Sequence, residues 1–214
     1  MRNNVGQNMK AEYPPDAKEV KAGSKAFRSY EKRDAMYKVA TFLVDHYWGK
    51  PKEMADALGV LLLTWNNALY RYGIFDFFAL EATLRENMDT LKEFRARDIL
   101  SFGEEDKKRI LVVFTAFLDA LKIADGKKKG VRSPVAVAKA LHLLAPEFFP
   151  LWDDKIAKAY GCYYSKDPSA KYLMFIQQSK DIAVAIWGKI QSGETTLLKV
   201  IDEYNYAKFT KRWI

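Results

Sequence analysis

Cys162, His46 and His142 are the only thiol and imidazole side chains in this 214-residue chain. A lone cysteine excludes any disulfide within the chain and fits a reducing, cytoplasmic setting. Three such ligands scattered along the sequence build no standard zinc site, and His-Glu-x-x-His does not occur. Walker and Rossmann glycine loops, a Gly-x-Ser-x-Gly elbow and Glu-x-x-His pairs are missing as well. No metal and no cofactor are expected. Any enzymatic chemistry falls to carboxylates, aromatics and water.

Long apolar runs are also lacking. The longest, Leu58–Trp65 and Ile110–Leu118, are too short to span a bilayer. Met1–Tyr13 is polar and has no apolar core of the kind a secretory signal needs. A membrane partner is therefore not expected. Neither period-2 alternation nor an Asn-Gly hairpin appears, so strands are not expected either.

What the chain does have is helical periodicity and ordinary globular composition, 49% hydrophobic and 29% charged. The fold class is all-α, with eight or nine helices in one globular unit or in two lobes around a central segment. Residues 1–23 read as a tail, with Pro14-Pro15 and no apolar period, and residues 24–214 as a single domain. From Ser24 one helix is expected up to Trp48, stopped by Gly49. Pro51 opens a second that runs to Gly73. Helices are then expected over Phe77–Asn87, over Thr90–Phe94 and from Glu104 to Leu121. Ser133-Pro134 reads as N-cap and first helical residue of a helix to Leu144 that is apolar nearly all round and so belongs in the core. Three more follow, over Asp154–Tyr160, Ser169–Gln191 and Glu194–Phe209.

Charge is unevenly spread. Lys and Arg number 35 against 27 acids, a net +8. Between Leu121 and Lys139 lie Lys122, Lys127, Lys128, Lys129, Arg132 and Lys139, with Asp125 the one acid among them. A local cluster of this sign suits a phosphate backbone, which makes nucleic acid the expected partner. A solvated loop explains Lys127–Lys129 equally well.

The cluster runs into the segment with most chemical content. Gly130, Arg132 and Ser133 form a basic turn that enters a helix N-terminus, where N–H groups and the dipole favour a phosphate. Asp153 then follows a strongly apolar and aromatic run just before the next helix.

Gly130, Val131 and Ala136, followed by Phe149-Pro150-Leu151-Trp152-Asp153-Asp154-Lys155-Ile156, resemble the helix-hairpin-helix DNA glycosylases. That superfamily carries a Gly-Val-Gly-x-x-x-Ala hairpin leading into a buried helix. Its adenine glycosylases follow with a Phe-Pro-x-x-Asp-x-x-Val segment holding an essential Asp. The resemblance covers about 30 residues. It implies a DNA partner rather than RNA, a flipped-out base, and Asp153 as the carboxylate that assists hydrolysis of the N-glycosidic bond. Trp65, Asn66 and Asn67 lie where the superfamily places an early helix with amide side chains near the pocket. Lys139, His142 and Trp152 complete the expected lining.

Several positions depart from the pattern. Arg132 replaces the second hairpin glycine, and the place of a Schiff-base lysine falls on Pro134 or Ser133. Lys139 lies deeper in the helix, out of register, so lyase chemistry is not expected. Cys162 alone cannot hold an iron–sulfur cluster.

Plainer readings stand beside these. Asp153 before a helix suits a cap. His142 suits a hydrogen-bonded core position, and Lys139 an edge residue with a buried stem. Tyr160, Tyr163 and Tyr164 suit either base stacking or packing. Lys208, Lys211, Arg212 and Trp213 suit either phosphate contact or a helix end. The alternatives to a glycosylase are a non-catalytic helical module binding DNA or RNA, and a helical protein–protein interaction protein.

Overall fold

The apolar positions between Phe27 and Val44, expected to form one helix, fold as two. A computed structural model describes residues 14–32, 34–190 and 195–214; among them there is no strand, and the all-α expectation holds. The first helix, α1, spans Ala17–Tyr30, and α2 spans Asp34–His46. The expected tail boundary at residue 23 is therefore too late, while residues 1–13 lie outside the described residues. Asp16 caps α1 by accepting the Glu19 N–H at 2.7 Å, and Val20 is fully buried. The inward stripe of α1 is Val20, Gly23, Ser24 and Phe27, too small and polar to register as periodic. Gly23 is needed there, because a Cβ would come within 2.8 Å of the Tyr204 backbone on the helix packed against it.

Pro51 opens α3 as expected, but α3 ends at Trp65; after Asn66 a single turn, α4, covers Asn67–Tyr70. The two helices expected between Phe77 and Phe94 are one, α5, Phe77–Arg95, capped by Asp76. Next come α6, Glu104–Ala120, and α7, Pro134–Leu144. Then follow α8, Asp154–Ala159, and α9, Pro168–Ile186. The last helix, α10, Leu197–Asn205, continues into a π-helical turn over Tyr206–Lys211. The expected start at Glu194 falls outside the described residues.

At the centre lies α7. All of its residues from Ala136 to Leu144 are buried, and it packs against α2, α3, α6 and α9. A helix apolar on every side has no solvent face to offer and is stable only when surrounded. On one flank, α1 lies along α10 and the π-turn, and α8 also rests on that turn. Among the described residues no helix is long and apolar enough to cross a membrane.

Candidate functional site

The end of α3 and the start of α7 are laced together by polar side chains. Lys139 reaches back from α7 and donates to the Trp65 carbonyl at 3.0 Å and to Asn66 Oδ1. A cation suits this position, because the last carbonyls of a helix lack intrahelical partners and carry the negative end of its dipole. Asn66 Nδ2 in turn donates to Ser133 Oγ at 3.3 Å, and the same oxygen caps α7 by accepting the Ala136 N–H at 3.1 Å. Trp152 Nε1 donates to the Pro134 carbonyl at 3.3 Å, holding the chain before α8 against the same end of α7.

Beside this lattice lies a cavity of about 400 Å³, within the range of small-molecule sites. Trp65, Asn66, Ser133, Lys139, Trp152 and Asp153 all line it, so six of the sequence candidates meet in one place. The remaining walls come from the two ends of the chain. Phe27 and Glu31 enter from α1 and its exit, and Asp202, Tyr206 and Thr210 from α10 and the π-turn. Leu69, Val135, Leu151 and Ile156 supply apolar surface. The aromatic rings come from four elements, whereas the ionisable lining is mostly acidic: Glu31, Asp153, Asp154 and Asp202 against Lys139.

Asp153 is the N-cap of α8. Its Oδ1 accepts the Ile156 N–H at 2.8 Å and its Oδ2 accepts the Thr210 hydroxyl. Both oxygens therefore have donors, and the carboxylate is held in one orientation at the cavity wall. Asp154, next in sequence, pairs with Lys158 at 2.7 Å along α8. Behind the cavity Lys199, 1% exposed, lies 3.3 Å from both Asp34 Oδ1 and Asp202 Oδ2. Burial raises the Asp202 carboxyl to about 6, with Lys199 opposing that rise.

Not every candidate is at the site. Asn67 is exposed on α4 and does not line the cavity. His142 is fully buried and does not face it either, which corrects the expectation of a Lys139–His142 lining pair. Its Nδ1 donates to the Phe149 carbonyl at 2.7 Å, leaving Nε2 to accept the Tyr37 hydroxyl at 2.9 Å. Burial pushes the imidazole down to about 3, so it stays neutral at ordinary pH. Cys162 is buried, and burial pushes its thiol up to about 12, as befits a passive residue. Tyr160 and Trp152 pack on Phe175, and Trp152 also packs on Tyr164, so these tyrosines belong to the aromatic packing around α9.

Apart from Ser133, the basic turn also lies outside the cavity lining. Lys127, Lys128 and Lys129 are exposed, with Lys128 Nζ 3.9 Å from the Tyr72 ring centroid. Arg132 pairs with Asp119. Gly130 takes φ +83°, a left-handed conformation that favours glycine. However, the turn uses its own donors. Lys129 N–H bonds Gly126 O, Gly130 N–H bonds Ile123 O, and Val131 N–H bonds Lys128 O. The phosphate is expected at the N-terminus of α7, where Pro134 has no N–H and the Ala136 N–H is taken by Ser133 Oγ; in the turn before it, the exposed lysine side chains are what is presented to solvent.

Phe27, Glu31, Asp202, Tyr206 and Thr210 escaped the sequence reading because they lie far along the chain from Asp153. One signal was visible: Lys199 and Asp202, one turn apart, share α10 with its apolar core residues, and charges in such a place must be paired. Comparison of the chain with protein-family models, with curated proteins and with solved structures returns no match.

Proposed function

We propose that the cavity receives a single base swung out of a DNA strand, and that Asp153 assists hydrolysis of its N-glycosidic bond. The observation that carries this reading is the position of Asp153, held at both oxygens, on the wall of an aromatic cavity that also presents Asn66, Ser133 and Lys139. Rings such as Trp65 and Trp152 offer stacking surface to a planar heterocycle, and amide and hydroxyl groups offer hydrogen bonds to its edge. A fixed carboxylate beside the sugar stabilises the positive charge that develops as the bond to the base breaks. The Lys139 amine is engaged by the Trp65 carbonyl and Asn66, and the residue before α7 is Ser133, which supports hydrolysis without strand cleavage. In this reading the exposed lysine run holds the DNA backbone, and the protein works in the cytoplasm.

The test is base release from duplex oligonucleotides carrying uracil, hypoxanthine, 8-oxoguanine, alkylated purines or adenine opposite 8-oxoguanine. The wild type releases at least one of these. Asp153→Asn keeps the cap but lowers the rate by a factor of 100 or more, on the order expected for losing one charge-stabilising group. Failure of the wild type to release any base overturns the reading. A second reading, a non-catalytic nucleic-acid-binding module, is favoured by the exposure of Lys127–Lys129 away from the cavity; it predicts DNA or RNA retention with no base release.

A further inference from the structure

Asp202 is a cavity-lining carboxylate that the proposed hydrolysis leaves without a role. It sits on α10, 7% exposed, and among the described residues its side chain's hydrogen bond comes from Lys199, to Oδ2. Lys199 is shared, because Asp34 Oδ1 lies at the same 3.3 Å. Its ammonium is also wrapped by aromatic faces, 4.2 Å from the Phe27 centroid and 4.8 Å from that of Tyr37. One cation divided between two carboxylates neutralises each incompletely, and a buried, half-neutralised carboxylate tends to hold its proton.

Asp153, the other carboxylate at issue, has a different environment. It accepts a backbone N–H and a hydroxyl. Two carboxyl groups on one cavity, one buried beside a shared cation and the other held by two hydrogen-bond donors, are a usual arrangement for dividing acid and charge-stabilising roles.

Resting on the glycosidic reading above, the geometry points to Asp202 as the general acid that protonates the departing base, with Lys199 as its positioning residue. As the bond from C1′ to the base nitrogen breaks, its electron pair leaves with the base. The Asp202 carboxylic acid transfers its proton to a base nitrogen, and the Asp153 carboxylate faces the cationic sugar. Water then bonds C1′ through oxygen and returns a proton to the Asp202 carboxylate. One water is consumed and both carboxyl groups are restored.

The proton on Asp202 answers to all the charges around it. Lys199 and Glu203 lie on α10, and Asp34 and Tyr37 on α2. Glu31, Lys139 and Asp153 share the cavity lining, and Arg28 of α1 pairs with Glu203. Burial is the largest influence and raises the carboxyl to about 6, Glu203 and Asp153 add to the rise, and Lys199 lowers it.

The experiment is the pH profile of base release, on whichever oligonucleotide of the panel above the wild type cleaves. An acid role predicts activity that falls on the alkaline side as Asp202 loses its proton. Asp202→Asn should lower the rate at pH 5.5 by a factor of about 100 or more and abolish that limb. Asp202→Glu should restore part of the rate, and Lys199→Met should move the limb to higher pH. A structural role for Lys199 would lower the rate at every pH without moving the limb. An active Asp202→Asn variant with the wild-type profile, or one slowed equally at every pH with the limb intact, overturns the acid role alone. A wild type that releases no base overturns the glycosidic reading and this role with it. Because Asp202→Asn is isosteric, the outcome does not depend on Lys199→Met folding.

Discussion

Thr210 donates its hydroxyl to Oδ2 of Asp153, joining the C-terminal π-turn to the first turn of α8. The contact is reinforced two residues further on, where Lys155 Nζ donates to the Thr210 carbonyl at 2.9 Å. π-helical turns are uncommon and concentrate where a side chain has to be aimed at a site. Here the turn brings Tyr206 and Thr210 to the cavity and leaves Lys211 and Arg212 exposed beyond it.

Thr210→Val keeps the shape of the side chain and removes its hydroxyl, leaving Asp153 Oδ2 without that donor. The expected loss of stability is about 1–2 kcal/mol, the usual cost of deleting a hydrogen bond to a charged group at a partly buried position. Urea unfolding at pH 7 measures it. The same variant should lower base release by a larger factor than its stability loss explains, because Asp153 is freed to rotate away. Asp153→Ala provides the comparison: it removes the cap as well and should cost about 1 kcal/mol or more on that account. If Thr210→Val matches wild type in both measurements, the hydroxyl does not hold Asp153 in solution.

The start of α7 at Pro134 and the cap at Asp153 were legible because caps and prolines act within a few residues. So was the central place of α7, since a helix without a polar face can sit nowhere else. Local signals failed where tertiary packing sets the outcome. The inward stripe of α1 consists of small residues whose value lies in letting Tyr204 approach Gly23 closely. The break at Asn66 has no proline or glycine to announce it; its side chain is occupied by Lys139 and Ser133, from a helix far along the chain. Of the two readings of His142, the core one holds and the pocket one does not, because its partners, Tyr37 and the Phe149 carbonyl, convert a polar ring into a satisfied core residue. The half of the cavity drawn from Phe27, Asp202, Tyr206 and Thr210 depends on bringing together the two ends of the chain, which no spacing rule encodes.

Acid should act on this fold through two opposed groups. His142 titrates near 3 when folded against an ordinary 6.5, so the unfolded chain binds its proton first and stability falls as pH drops from 6.5 toward 3. Asp202 titrates near 6 when folded against an ordinary 3.8, so the folded chain binds that proton first and stability rises as pH drops from 6 toward 4. Between pH 6 and 4 the two trends oppose each other, each worth roughly 1 kcal/mol per pH unit. Asp202→Asn removes the stabilising trend and leaves that of His142 uncovered. Urea midpoints should therefore fall more steeply from pH 6 to pH 4 in Asp202→Asn than in the wild type. Parallel curves would place the Asp202 proton at its ordinary pKa.

Cys162 donates its thiol to the Ala157 carbonyl at 3.5 Å and is fully buried. Thiolate is the reactive form, and burial keeps it scarce. A thiol reagent such as dithionitrobenzoate should modify the native protein at least 100-fold more slowly than the urea-unfolded chain, with one equivalent reacting on unfolding. Rapid modification of the native protein would mean that the α8–α9 connection opens readily.

The lysine run provides a test of the proposed nucleic-acid partner that does not involve the cavity. Lys127, Lys128 and Lys129 lie on a turn whose backbone donors are spent on Gly126, Ile123 and Lys128 carbonyls, so the side chains are what it offers to a phosphate. Each phosphate contact on a duplex contributes about 0.9 to the slope of log affinity against log salt. Replacing all three lysines by Glu should weaken binding to a duplex oligonucleotide and flatten that slope by as much as roughly 2.7 if all three meet phosphates. Base release under single-turnover conditions, with enzyme saturating, should change much less, because Asp153 and the cavity walls are untouched. An unchanged slope would remove the turn from the interface and shift attention to Lys211 and Arg212, which leave the π-turn that carries Thr210. Those two residues would then be the next pair to reverse, with the same slope as the readout.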